Sequence, residues 1–241
     1  MLEISFSTDS KVNGTLVMDE CRLRKLTSVT PLGISITQWF QPDRDRIERF
    51  IESTYRYHYG STIKGHYPTL MSVYDPRGKV LAAVGLRLAG DGPLFLEQYL
   101  EQPVDAAIRA VLGQPVGRDA IVEIGNLTSA GRGASVFLIV GLAAYLRQQR
   151  LAFAVATATK LLRRSLAGFG IDFRELGAAD PSALPDGGAS WGGYYERDPK
   201  IIVGAIQPAF ARLEAYLPAA HNLDLERLFT GSRQPISRSL Q

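Results

Sequence analysis

The sequence predicts a mixed α/β (α+β) fold, one mixed β-sheet with helices on both faces. Three observations predict it. Strand-like and helix-like segments follow one another as strand, helix, hairpin, strand, helix, strand, helix, strand, strand. That order suits a layered mixed sheet and lacks the regular alternation of a doubly wound parallel one. Two apolar runs, 69–74 and 80–88, flank the turn sequence Asp75-Pro-Arg-Gly78, with Pro at its second position and Gly at its fourth, so part of the sheet is antiparallel. A strand at 120–127 leads through Gly131-Arg-Gly133 straight into an apolar run of helical spacing that extends to about Gln149.

Taken in order, residues 1–30 pattern weakly and read as an N-terminal arm, either one or two edge strands or a loosely packed segment. Ile34–Phe40 alternates as a strand. Pro42 and Asp43 suit the first turn of a helix running to about Tyr57, with Ile47, Phe50, Ile51 and Tyr55 at helical spacing and Gly60 as its stop. The hairpin follows, then a break at Gly90–Pro93, the short apolar Leu94–Leu100, and a helix at 103–112. After the strand, glycine turn and long helix come a buried strand at 151–156, a short helix at 160–169 stopped by Gly170, and a strand at 172–176. A Gly, Ala, Pro and Asp-rich loop spans 178–193, and 200–206 is a closing strand. Helices are expected at 208–217 and 223–229, and a polar tail at 232–241. The domain division is therefore an arm at 1–30, one main domain at 31–206, and a helical extension and tail at 207–241.

Composition bounds the function. At 241 residues, 46% hydrophobic and 21% charged, the chain has ordinary soluble globular composition and enough length for a real core. A net charge of +3 is too small to imply a nucleic-acid partner without a basic stripe, and the clusters Arg22–Lys25 and Arg163-Arg164 are too brief to make one. The single cysteine, Cys21, cannot form an internal disulfide. That fits a reducing compartment, and the first residues lack a secretory pattern, so a cytoplasmic location is expected. No run reaches the roughly 18 apolar residues of a spanning helix, so no stable membrane insertion is expected. His58, His66 and His221 are scattered, so no metal site is expected.

The stretch Glu123-Ile-Gly-Asn-Leu-Thr-Ser-Ala-Gly-Arg-Gly-Ala-Ser135 carries the chemistry. A glycine turn that opens a helix presents free backbone N–H groups and positive dipole potential, which suits a phosphate or pyrophosphate. Glu123 and Asn126 put polar side chains where a buried strand is normally apolar. In a regular strand Glu123 and Leu127 share one face and Asn126 takes the other, unless a bulge intervenes. Glu123 reads either as a general base or as one half of a salt bridge with Arg87 or Arg118.

The strand, glycine turn and long helix, followed by a short helix ending Leu166-Ala-Gly-Phe-Gly170, resemble the N-acetyltransferase (GNAT) fold. Four blocks, Leu94-Phe-Leu-Glu-Gln-Tyr-Leu100, Val122-Glu-Ile-Gly-Asn-Leu127, Ala156-Thr-Ala-Thr159 and Trp191-Gly-Gly-Tyr-Tyr195, resemble the thermostable hemolysin family in identity, order and spacing over about residues 45–206. That family is akin to GNAT enzymes and acyl-homoserine-lactone synthases. The resemblance implies a GNAT-like acyltransferase with no covalently bound cofactor. Its co-substrate would be acyl-CoA or an acyl group on the phosphopantetheine arm of a carrier protein, and its acceptor a small amine. It implies that Leu127 offers a backbone donor to the thioester carbonyl, and that Ser129, Gly131, Arg132, Gly133 and Ala134 cradle phosphate. Tyr194 or Tyr195, with release placed near Tyr195, would protonate the leaving thiolate, Glu123 and Asn126 would act at the reacting amine, and Arg87, Glu97, Tyr99 and Trp191 would line the acceptor side. Thr128 stands where GNAT donor loops usually carry Arg or Gln, which leaves the donor open between coenzyme A and a phosphopantetheine arm. Arg164 stands where the hemolysin family would have Asn. The family name also motivates a second reading, a membrane-active or non-catalytic interaction protein. A third is an acyl-homoserine-lactone-type synthase, ranked lower because the arm lacks the aromatic and arginine pattern expected of those enzymes.

Overall fold

A computed structural model describes residues 1–218. Nine strands form one mixed sheet: β1 (Leu2–Thr8), β2 (Lys11–Met18), β3 (Gly33–Thr37), β4 (Thr69–Tyr74), β5 (Val80–Leu88), β6 (Ile121–Ser129), β7 (Phe153–Ala158), β8 (Arg174–Ala178) and β9 (Lys200–Ala205). Their order across the sheet is β2-β1-β3-β4-β5-β6-β7-β9-β8. Among the described strands only the β1–β3 and β6–β7 pairs are parallel. The helices are α1 (Glu20–Leu23), α2 (Arg44–Tyr59), α3 (Val104–Leu112), α4 (Ala134–Gln148), α5 (Lys160–Gly168) and α6 (Ile206–Leu213). The expected helix at 223–229 and the tail at 232–241 lie outside the described residues.

The two faces are covered by different chemistry. α4 packs on β4, β5 and β6 and against α6. It is apolar all round because it is buried all round: Val136 to Leu146 are buried without exception, whereas a surface helix would keep a polar stripe. α2 covers the opposite face over β4, β5 and β6, and its buried Ile47, Ile51 and Tyr55 pack with Tyr67, Leu70 and Tyr194. α3 seats Val104 and Ile108 with Ile121, Val155 and Val203 on the same side.

The expected arm at 1–30 is a hairpin built into the sheet. β1 pairs with β3, and Ile4, Phe6, Leu16 and Met18 belong to the main core. Burying each such side chain is worth about 1.5–3 kcal/mol, which is why weakly patterned strands still join the sheet. The strand expected to reach Phe40 ends at Thr37, and Phe40 takes a positive φ of 65° with its ring exposed. Leu94–Leu100 contains a 3-10 turn, Phe95–Tyr99, and the loop expected up to residue 193 gives way to a 3-10 stretch at Ala189–Arg197.

Candidate active site

β6 and β7 pair only from Ile121–Phe153 to Ile124–Ala156. Beyond that point Thr128 and Ser129 pair with β5, while Thr157 and Ala158 pair with β9, so a notch opens between the two parallel strands. β6 also carries one extra residue there. Gly85 faces Gly125 and Ala83 faces Thr128, so three steps on β6 oppose two on β5. Asn126 absorbs the extra residue with a φ of 52°, a conformation Asn tolerates better than most residues.

The bulge reverses the alternation expected of a regular strand. Leu127 falls on the face of Ile124 and Asn126 on the opposite one, instead of Leu127 with Glu123. Leu127 and Ile124 line an apolar cavity of about 110 Å³ walled by residues of α4, α5 and α6, among them Leu142, Ala143, Leu166 and Leu213. Asn126 lines a polar cavity of about 370 Å³ with His66, Tyr67, Arg87, Phe95 and Trp191. Two consecutive residues at the notch therefore face two different cavities, one wholly apolar and one whose polar groups sit among aromatic and aliphatic side chains.

Glu123 is 1% exposed. Its two carboxylate oxygens accept the backbone N–H groups of Phe95 and Leu96, each at 2.9 Å, which are free at the start of the 3-10 turn. Burial raises its pKa, while those two N–H groups, Arg87 and the Tyr67 hydroxyl pull it partly back. Neither salt bridge expected of Glu123 forms. Arg87 sits opposite it in register but not within ion-pair distance, and Arg118 pairs with Glu97 at 2.6 Å and Asp105 at 3.3 Å. Tyr67 lies between the cavity and Glu123. Its ring occupies the space a Cβ would fill at Gly125, and its backbone carbonyl accepts from the buried Arg44 at 2.6 Å. Arg44 also donates to the Pro68 carbonyl at 2.9 Å and stacks 3.6 Å above the Trp39 ring, so α2 fixes the approach to β4.

The tyrosines divide. The Tyr194 hydroxyl donates to the Thr157 carbonyl at 3.0 Å, on the first β7 residue past the parallel pairing, and burial raises its pKa well above the usual phenol range. The Tyr195 hydroxyl instead meets that of Tyr99 at 2.6 Å. Trp191 lies against Phe95 and Tyr194, with ring centroids 5.5 and 5.3 Å away. Of the four residues expected on the acceptor side, Arg87 and Trp191 line the polar cavity, whereas Glu97 and Tyr99 do not. The Glu97 carboxylate is taken up by the Leu94 N–H at 2.7 Å, the Val104 N–H at 2.8 Å and Arg118.

At the glycine turn, Gly133 has a φ of 78° and its missing Cβ leaves room for the backbone of Leu26 and Thr27. Thr27 Oγ1 and the Ser28 N–H donate to the Arg132 carbonyl at 2.9 and 3.1 Å. The Gly131 N–H goes to Ser129 Oγ at 3.2 Å and the Ala134 N–H to the Gly131 carbonyl at 3.1 Å, so these two cradle donors are used inside the turn. Thr128 Oγ1, at the position of the usual phosphate ligand, is buried and donates to the Ala83 carbonyl at 3.3 Å.

Sequence reasoning missed His66 and Tyr67. His66 Nε2 lies 3.0 Å from Glu52 Oε1, and its buried Nδ1 has no hydrogen-bond partner. The available signal was a polar, aromatic segment, His66-Tyr-Pro68, leading directly into an apolar strand. Among the described residues no helix is long and apolar enough to cross a membrane, and no cluster of three or more His, Cys, Asp or Glu side chains is placed to hold a metal.

A family model described as thermostable hemolysin matches residues 38–210. No match was found among curated protein sequences. Among solved structures, the acyl-homoserine-lactone (AHL) synthase LasI is 13% identical with a TM-score of 0.51, over 77% of this chain and 96% of that one. TofI, crystallised in a ternary complex with an inhibitor and MTA, is 12% identical with a TM-score of 0.50, over 78% of this chain and 98% of that one. The likeness establishes a GNAT-like fold.

Proposed function

The chain belongs to the thermostable hemolysin family, and we propose that it is an acyltransferase moving an acyl group from a thioester to an amine. The observation that carries this reading is the notch between β6 and β7, with an apolar cavity behind Leu127 and a polar one before Asn126. An acyl chain and a polar acceptor need such opposed compartments, and they need to meet at one carbonyl carbon.

In this reading the acyl chain lies among Leu142, Ala143 and Leu166. The thioester carbonyl rests at the notch against the Leu127 backbone N–H. The donor is acyl-CoA or an acyl group on a phosphopantetheine arm. Its phosphate lies over the turn from Ser129 to Ala134, where Arg132 is exposed and has no acidic partner among the described residues. The acceptor occupies the polar cavity. Its ammonium gives up a proton through the Tyr67 hydroxyl to Glu123, whose carboxyl burial has made more basic. The amine nitrogen attacks the carbonyl carbon, the C–N bond forms and the C–S bond breaks. The thiolate takes a proton from Tyr194, which is protonated at neutral pH, and the second proton of the new amide nitrogen returns to the Tyr194 oxygen, so that Glu123 carries the one proton released.

The test is mass spectrometry of the purified protein mixed with acyl-CoA and acyl-carrier-protein pools and an amine library. Loss of one donor class with appearance of the matching amide is expected. A protein that consumes neither donor with any amine is not this enzyme.

A further inference from the structure

The polar cavity contains a cation that the protein leaves unpaired. The Arg87 guanidinium lies over the Tyr67 ring, 5.4 Å from its centroid, and no carboxylate comes within ion-pair distance of it among the described residues. Its natural partner is Glu123, directly opposite on β6, but the Glu123 oxygens face the Phe95 and Leu96 N–H groups. In the same lining Asn126 is 6% exposed, and its Nδ2 has no hydrogen-bond partner. The bulge turned that amide onto this face. The other ionisable side chains of the lining are engaged: Lys64 pairs with Asp186 at 3.2 Å, and His66 Nε2 lies 3.0 Å from Glu52 Oε1. The cavity therefore offers one planar guanidinium fork, one amide donor and the unpartnered His66 Nδ1, and no second free guanidinium or ammonium among its lining residues.

We propose that the acceptor is a free α-amino acid, its carboxylate held by Arg87 and Asn126. This inference rests on the acyl-transfer reading above. A guanidinium fork matches the two oxygens of a carboxylate. A phosphate dianion would call for more positive charge than the lining leaves free. The α position follows from register: Arg87 and Glu123 are cross-strand neighbours on one face. An acceptor whose negative and positive groups share one carbon therefore places its carboxylate on Arg87 and its ammonium on the Tyr67–Glu123 side. The remaining wall, with Phe95 and Trp191, takes the side chain.

The experiment has a binding arm and a turnover arm, both on the full chain. In the first, leucine, phenylalanine and lysine are compared with their methyl esters and decarboxylated amines for the thermal shift they produce without donor. In the second, the same compounds are offered with the donor the protein consumes. The free amino acids are expected to raise Tm and to exceed ester and amine by at least about 100-fold in kcat/KM, as buried polar groups discriminate against ligands that leave them unpaired. In Arg87→Gln that preference collapses, so the amino acid reacts no better than its ester. Arg87→Lys, which keeps the charge but loses the fork, retains only part of it. Asn126→Asp, which places an anion beside the carboxylate, weakens the amino-acid shift. Esters or amines that bind and react as well as the amino acids overturn the carboxylate site and leave acyl transfer standing. Amino acids that bind through Arg87 while no amine is ever acylated overturn acyl transfer and leave the site standing.

Discussion

Glu123 Oε1 accepts the Leu96 N–H at 2.9 Å across 27 residues of sequence, and so ties the strand that forms the notch to the 3-10 turn that roofs the polar cavity. In Glu123→Gln one carboxamide end must face a backbone N–H with an N–H of its own. Leaving that buried donor unpaired costs about 1–3 kcal/mol. We expect Glu123→Gln to remain folded with a lowered denaturation midpoint, to bind donor nearly as well, and to lose most of its turnover. Turnover equal to that of the unsubstituted protein would remove Glu123 from the proton path.

Tyr194 and Tyr195 are adjacent but differently placed. Tyr194 reaches the Thr157 carbonyl at the notch, and Tyr195 reaches the Tyr99 hydroxyl. Tyr194→Phe should lower kcat by about 100-fold or more, the low end of what a positioned general acid contributes. Tyr195→Phe should change it little. Single-turnover kinetics with a chromogenic thioester distinguishes the two.

Ala143 faces the apolar cavity from α4. Ala143→Leu adds three carbons to that wall. It should shift the preferred donor toward shorter acyl chains, at a stability cost of about 1–3 kcal/mol for overpacking. Donor competition among saturated acyl chains of graded length measures the shift, and an unchanged length profile would place the chain elsewhere.

Glu97 and Glu123 respond oppositely to pH. Burial pushes Glu97 up, but Arg118 and the Val104 and Leu94 N–H groups outweigh it and hold the carboxyl down to about 2. A depressed carboxyl stabilises the fold above its unfolded value of about 4.3, and that contribution is lost as the pH falls from there toward 2. Glu123 is raised, chiefly by burial, so its contribution declines as the pH rises from the unfolded carboxyl range through its folded pKa. Chemical denaturation across acid pH should show a flatter acid limb in Glu97→Gln, and loss of the opposing slope in Glu123→Gln.

Gly133 combines a left-handed φ with contact against Leu26 and Thr27. Gly133→Ala should cost about 1–2 kcal/mol from backbone strain alone, with a further loss because the 26–28 segment must move. Hydrogen exchange should then show the Ser28 amide, bonded to the Arg132 carbonyl at 3.1 Å, losing protection.

The hairpin at 69–88, the glycine turn before α4 and the burial of α4 were legible because each rests on spacing within one segment. Period-two and helical periodicities, a Pro-x-Gly turn and an apolar run with no polar stripe all act over a few residues. The same locality explains the four motif blocks, which could be read in the sequence one by one. That they converge was not readable. Glu123 reaches Phe95, Phe95 packs on Trp191 and Tyr194 reaches Thr157 only in the folded chain.

The tertiary structure alone decided which side chains share a cavity. One extra residue at Asn126 exchanged the faces of Asn126 and Leu127, and strand alternation carries no record of such an insertion. Glu97 looked like a substrate ligand until Arg118 and two N–H groups occupied it, while His66 and Tyr67 came into the site from a segment with no pattern of its own. Local sequence sets what each segment prefers to be. Which polar groups find partners, and which stay free in a cavity for a ligand, depends on atoms many residues apart that meet only when the sheet closes.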